Sequence, residues 1–174
     1  GKDLFIKGFD NKLLNQIKKY DHILISIPPN DGIDIVLKNF QKLLTASEIN
    51  WITYLSATNV YGDHQGRWVD ESSELNPSTK AGKSRLNAEK KWIEFCNNEK
   101  IPLRIFRLSG IYSQENNILK RIKSGLQKIV NEPNHFFSRI HIEDIANILE
   151  ITLNKKVIKS GEICNLSDDY PCSN

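Results

Sequence analysis

The residues able to do chemistry gather in a few polar stretches. Asp63, His64, Asp70 and Glu71 share the segment GDHQGRWVDE (62–71), and carboxylates beside an imidazole are metal-ligand types. Their spacing does not force convergence, and Asp and Gly in such a run serve turns and caps, so no metal site is assigned. Cys96, Cys164 and Cys172 are odd in number and widely spaced, which gives neither a disulfide framework nor a zinc pattern. Thr58, Tyr61, Tyr112, Lys80 and Lys83 carry groups that can move a proton or polarise an oxygen. His141 and Asp144 stand at the start of a helical run, where capping and packing compete with catalysis. The segment NPSTKAGKSRLNAEKKW (76–92) has small and basic residues leading into an amphipathic run, in the manner of an active-site helix.

Alternating elements must position these groups. DLFIKGF (3–9) reads as a strand and NKLLNQIKKY (11–20) as a helix. DHILISIPP (21–29) is a nearly continuous apolar run stopped by two prolines, as expected of a strand buried on both faces of a parallel sheet. Helical spacing returns over 33–46, INWITYLSAT (49–58) is the next buried strand, and 58–79 is a long polar connection of the kind that is functional or disordered. The strongest helix covers 80–98, with Leu86, Trp92, Ile93 and Cys96 able to form one face. IPLRIFRLSG (101–110) is a strand, a helix surrounds NNILKRIKSG, and QKIV and FFSRI are short strands. IEDIANILEITLN is a helix with acids in its first turn, and GEICNLS is a last strand.

Strands alternating with helices predict an α/β fold with a doubly wound parallel sheet of the Rossmann type. Ligands of such sheets bind beyond the carboxyl ends of the strands. That places the informative residues at 26–29, 56–63, 107–112 and the turn after Asn165. Arg107 ends a strand at this edge, where a ligand contact and a structural ion pair are both open to it. The 174 residues make one domain, and the net charge of +3 is spread along the chain rather than gathered as a nucleic-acid binder requires. No run has the length of a membrane span and no segment has the layout of a signal peptide, so the expected setting is cytoplasmic, with reduced thiols.

At the strand ends the chain resembles the extended short-chain dehydrogenase/reductases, the NAD-dependent epimerase/dehydratase-like proteins, and most closely an atypical branch of them. The resemblance rests on YLSATNVYGD (54–63), GDHQGRWVDE (62–71), Pro77 through LNAE (86–89), RLSGIY (107–112), FSRIHIEDIA (137–146) and NLSDD (165–169), in the family's order. It implies an NAD(P)-binding protein acting on a nucleotide-linked sugar or related small molecule, with no nucleic-acid or membrane partner, and it admits a homodimer. It places Asp10, Ser26, Ile27, Pro28, Ser56 and Arg107 at the cofactor, and Tyr61, Tyr112 and Arg139 at the substrate. Asp10 is equally suited to cap the helix after it, and Tyr61 to pack.

Two departures follow from the same resemblance. By its register, DLFIKGF through IPP matches the family's third strand, next helix and fourth strand. The chain starts at Gly1, contains no Met and holds no G-x-G-x-x-G turn, so it is expected to lack the first βαβ unit, which cradles the pyrophosphate, and to stop short at its other end. Residues from about 111 to 135 are expected to form a small substrate-side lobe. The family's hydroxyl, tyrosine and lysine positions hold Ala57, Ala81 and Arg85. Alanine has no proton to give, and arginine is not a neutral swap for lysine. Thr58 and Arg85 are the residues left to act there. Two readings stay open: an enzyme with unusual active-site groups, or a catalytically silent binding or regulatory protein.

Overall fold

The computed structural model describes residues 15–125, 136–155 and 160–173. Strands β1 (His22–Ile25), β2 (Trp51–Ala57), β3 (Leu103–Leu108) and β7 (Ile163–Leu166) form one sheet in the order β1-β2-β3-β7. All three pairings are parallel, with Ile25 opposite Tyr54, Tyr54 opposite Ile105 and Leu108 opposite Leu166. Between these strands run α1 (Ile35–Thr45), α2 (Lys80–Glu99), α3 (Ile118–Lys123) and α4 (Ile142–Lys155). Two short ladders complete the described fold: β4 (Gly110–Tyr112) parallel to β6 (Arg139–His141), and β5 (Phe136–Phe137) antiparallel to β8 (Cys172–Ser173).

The apolar runs become strands because both faces of the sheet are covered. On one face Ile52, Tyr54, Leu103 and Ile105 pack with Leu44 of α1 and Ala88, Trp92 and Cys96 of α2. On the other, Phe106 and Leu108 pack with Ile140, Ile145 of α4 and Leu166. The period of two along β3 thus sends alternate side chains into two separate cores. Burial pushes the Cys96 thiol up to about 12.

The helix starts follow capping rules. Asp34 Oδ1 accepts from the Leu37 N–H at 2.9 Å, Thr79 Oγ1 from Gly82 at 3.0 Å and Asn117 Oδ1 from Lys120 at 3.0 Å.

The structure differs from the sequence reading in three places. β1 is not buried on both faces: Leu24 is 48% exposed, and β1 is the edge strand of the described sheet. The buried stripe of α2 is Ser84, Ala88, Glu89, Trp92, Phe95 and Cys96, with Ile93 turned out, because 88, 92 and 96 repeat every four residues while 93 lies a quarter-turn round. The third strand ends at Leu108, and Gly110 already pairs with Arg139 in a separate ladder. The expected strands at 3–9 and 127–130, the start of the first helix, Asp10 and part of the lobe lie outside the described residues.

Candidate functional site

Behind the carboxyl edge of the sheet lies a buried polar network. Glu89, on the inner face of α2, meets Arg107 of β3 in a two-pronged ion pair, Nε to Oε1 at 3.1 Å and Nη2 to Oε2 at 2.8 Å. Both residues are 1% exposed, so each charge depends on the other. Ser56 of β2 donates its hydroxyl to the Glu89 carboxylate. Arg107 Nη1 donates to the Tyr61 hydroxyl at 2.9 Å, and Tyr61 donates onward to Asn165 Oδ1 of β7 at 2.7 Å. The guanidinium also lies 4.9 Å from the Tyr61 ring centroid. Ser56, Arg107 and Tyr61, named separately from the sequence, are thus brought together. Of the two roles open to Arg107, this is the geometry of the ion pair.

The connection at 58–79 is folded onto this network. Thr58 opens a 3-10 turn (Thr58–Val60), and its carbonyl accepts from Tyr61. Gly62 bridges to Asn76, and Asn76 N–H donates to the Tyr61 carbonyl at 3.1 Å. Asp63 Oδ1 closes a turn on the Gln65 N–H, and Asp70 Oδ1 accepts from Ser72 and Ser73. His64 Nε2 meets the Glu74 carbonyl, and Glu71 Oε1 accepts the Asn165 N–H at 2.6 Å. The four residues of metal-ligand type are spent on loop hydrogen bonds, and among the described residues no group of three acids, histidines or cysteines sits as a metal site would need.

The start of α2 is pressed against the end of β2. A Cβ on Gly82 would stand 2.5 Å from the Asn59 carbonyl oxygen, so this close approach requires glycine. Ala81 exposes its methyl. Arg85 is half-buried, and its Nη1 donates to the Leu55 carbonyl at 2.9 Å. Ser26, Ile27 and Pro28 follow β1 as exposed residues. The turn after them is latched to α2: Gly32 N–H donates to Ser84 Oγ at 2.9 Å, Asn87 Nδ2 donates to the Gly32 carbonyl at 3.0 Å, and Lys80 pairs with Asp31.

Tyr54 lies under this helix, closed off from solvent, with no hydrogen-bond partner on its hydroxyl among the described residues. Burial pushes its pKa up to about 12, with the Arg85 guanidinium pulling the other way. The unfolded chain ionises tyrosine near 10. A raised acid pKa gives stability that is complete below about pH 10 and is lost as pH rises toward 12. Urea midpoints of the wild-type chain should therefore fall between those limits, and those of Tyr54→Phe should fall less.

On the far side of the edge, Tyr112 and Arg139 share the β4–β6 ladder. The Tyr112 hydroxyl donates to Asp168 Oδ2 at 3.0 Å, which raises its pKa. The Arg139 guanidinium lies 5.5 Å from the Phe137 ring. Sequence reasoning singled out neither Glu89, Asn165 nor Asp168. Glu89 and Asp168 stand inside the quoted motifs, but only the tertiary pairing shows which acids carry a partner.

One polar group at this edge bears on a dinucleotide. Ser109 Oγ is buried where β3 passes into β4 and has no partner among the described residues, so a hydrogen bond to a ribose or nicotinamide amide would satisfy it. The Arg85 guanidinium serves the Leu55 carbonyl and lies close enough to the Tyr54 hydroxyl to act on its ionisation. No G-x-G-x-x-G turn for a pyrophosphate occurs in the sequence.

Comparison with solved structures finds many of similar fold. No family model and no curated protein matches the chain. A functionally unknown conserved protein from Silicibacter pomeroyi DSS is 39% identical, with a TM-score of 0.75 over 86% of this chain and 51% of that one. UDP-glucuronic acid 4-epimerase from Bacillus cereus, solved with NAD, is 18% identical with a TM-score of 0.73, over 92% of this chain and 58% of that one. UDP-N-acetylglucosamine 4-epimerase from Bacillus cereus is 17% identical with a TM-score of 0.75, over 93% of this chain and 61% of that one. The chain spans from about half to three fifths of the length of these proteins. The Rossmann-type fold is borne out, and the resemblance read from the motifs is borne out at the level of fold. Among the described residues, no helix is long and apolar enough to cross a membrane.

Proposed function

We propose, on the premise that this chain carries the fold of the extended short-chain dehydrogenase/reductases, that the protein binds NAD or NADP and acts on a nucleotide-linked sugar or a related substrate. The observation that carries this reading is the position of Arg85. It lies on the helix whose start presses on the Asn59 carbonyl, half-buried at the carboxyl end of β2, where its Nη1 holds the Leu55 carbonyl. Arg85 would hold the cofactor ribose, Ser26 to Pro28 would form a wall beside it, and Thr58 would steady a substrate oxygen. A bound nicotinamide supplies the hydride acceptor or donor. Ser56 and Arg107 would act on the cofactor edge through the network they share with Glu89.

A catalytically silent binding or regulatory protein is the second reading. The exposed methyl of Ala81 and the methyl of Ala57 favour it, since neither can pass a proton. Loss of a positioned acid–base group costs on the order of 10²- to 10⁴-fold in rate.

The test is a titration of the complete native protein with NADH and NADPH, followed by nicotinamide fluorescence. Saturable binding of one of them is expected. No binding at millimolar cofactor would remove the oxidoreductase and epimerase readings together. Given binding, Ala81→Tyr with Arg85→Lys separates the two readings. A gain of turnover places the lost activity in those positions, and no gain places it elsewhere as well.

A further inference from the structure

The β4–β6 ladder carries a cluster that the Arg107 network does not use. Tyr112 and His141 stand opposite each other in register, with ring centroids 5.0 Å apart and planes inclined at 61°. Asp168 follows β7, and its N–H is fixed on the Arg139 carbonyl at 2.6 Å. Its Oδ2 receives the Tyr112 hydroxyl at 3.0 Å, while Oδ1 has no partner among the described residues. Tyr112, His141 and Asp168 are all partly open to solvent. The other polar groups of the edge differ from this. Tyr61 both donates and accepts and is 2% exposed, and the Asp70 carboxylate is consumed by its own turn.

A carboxylate oriented by one hydrogen bond, on a residue whose backbone N–H is fixed by another, with one oxygen free beside two aromatic rings, suits a ligand rich in hydroxyls. Hydroxyls donate to the free oxygen, with the strength of a charge-assisted bond. The rings cover the apolar C–H face of a pyranose, as few polar groups amid aromatic surface do in small-molecule sites. The same carboxylate repels a phosphate. Arg139 is two residues from His141 on one strand, so both side chains leave the same face about 6.6 Å apart. That spacing suits a sugar at Asp168 whose phosphate-linked end points toward Arg139.

We propose that Asp168, held by Tyr112 and flanked by His141, is the subsite that recognises the sugar hydroxyls of a nucleotide-linked sugar. The assignment rests on the reading of the substrate given above. Calorimetric titration of the complete native protein with UDP-glucose and with UDP tests it. A charge-assisted hydrogen bond is worth about tenfold or more in affinity, so UDP-glucose should bind at least about tenfold tighter than UDP. In Asp168→Asn and in Tyr112→Phe that ratio should collapse to within about threefold, with the loss falling on UDP-glucose. A role confined to pinning β4 to the turn after β7 would weaken both ligands alike and overturn the proposal. So would equal wild-type affinities, a ratio that survives both substitutions, or no binding of either ligand. Binding of NADH in the separate titration would still support the broader reading in each of these cases.

Discussion

Arg107→Met is expected to destabilise the fold by about 3–5 kcal/mol, and Glu89→Leu by a similar amount, whereas the double substitution should recover much of that loss. The asymmetry comes from burial. Both residues are 1% exposed, so removing one leaves the other's charge in an apolar interior with its hydrogen-bond partner gone. Removing both replaces a desolvated pair by apolar groups of comparable volume between β3 and α2. Two secondary losses keep the recovery incomplete. Ser56 would lose its acceptor, and the Tyr61 hydroxyl would lose its donor. A domain is stable by only about 5–15 kcal/mol, so either single variant should show a much lower urea midpoint. A double variant that loses the sum of the two single losses would show that the pair is not coupled.

This network also shows where the sequence stops being informative. The strands were legible because a parallel sheet covered on both faces demands mostly apolar runs, and 49–58 and 101–108 are such runs despite Thr53, Arg104 and Arg107 within them. The helices were legible from apolar spacing over 33–46 and 80–98, and their starts are set by Asp34, Thr79 and Asn117, which satisfy backbone donors only three residues away. Both signals are local. The partner of Arg107 is not, because Glu89 lies 18 residues earlier on another element. From spacing alone, Arg107 faced a ligand as readily as an acid. The exposure of Leu24 was equally hidden, since an apolar run does not tell an edge strand from a central one. The loop at 58–79 was recognisable as special by its length. Its order depends on Glu71 reaching Asn165, a contact across 94 residues. Ala57, Ala81 and Arg85 are the opposite case, since their assignment rests on the register that the resemblance implies and not on any contact.

Gly62→Ala should cost more than Gly32→Ala, although both glycines sit at nearly the same dihedral, φ +79 and φ +76. The shared part is the left-handed backbone, about 1–2 kcal/mol for an L side chain. The difference is space. A Cβ at Gly32 meets nothing within 4 Å, while one at Gly62 would lie 1.9 Å from the Asn76 carbonyl oxygen and 2.7 Å from its carbon. That oxygen belongs to backbone and cannot rotate away, so the Gly62–Asn76 bridge must open. Opening it releases the segment between them from the end of β2 and threatens the Asn76 bond to the Tyr61 carbonyl. Gly62→Ala should therefore lose about 2 kcal/mol or more, against about 1 kcal/mol for Gly32→Ala. Hydrogen exchange should quicken across 62–76 in the first variant only. The same loop carries Glu71 to the Asn165 N–H, beside the oxygen that receives Tyr61. Its release should therefore spread to the buried network and raise exchange at Asn165 as well. Equal costs at the two glycines would mean that the loop is not held by the bridge.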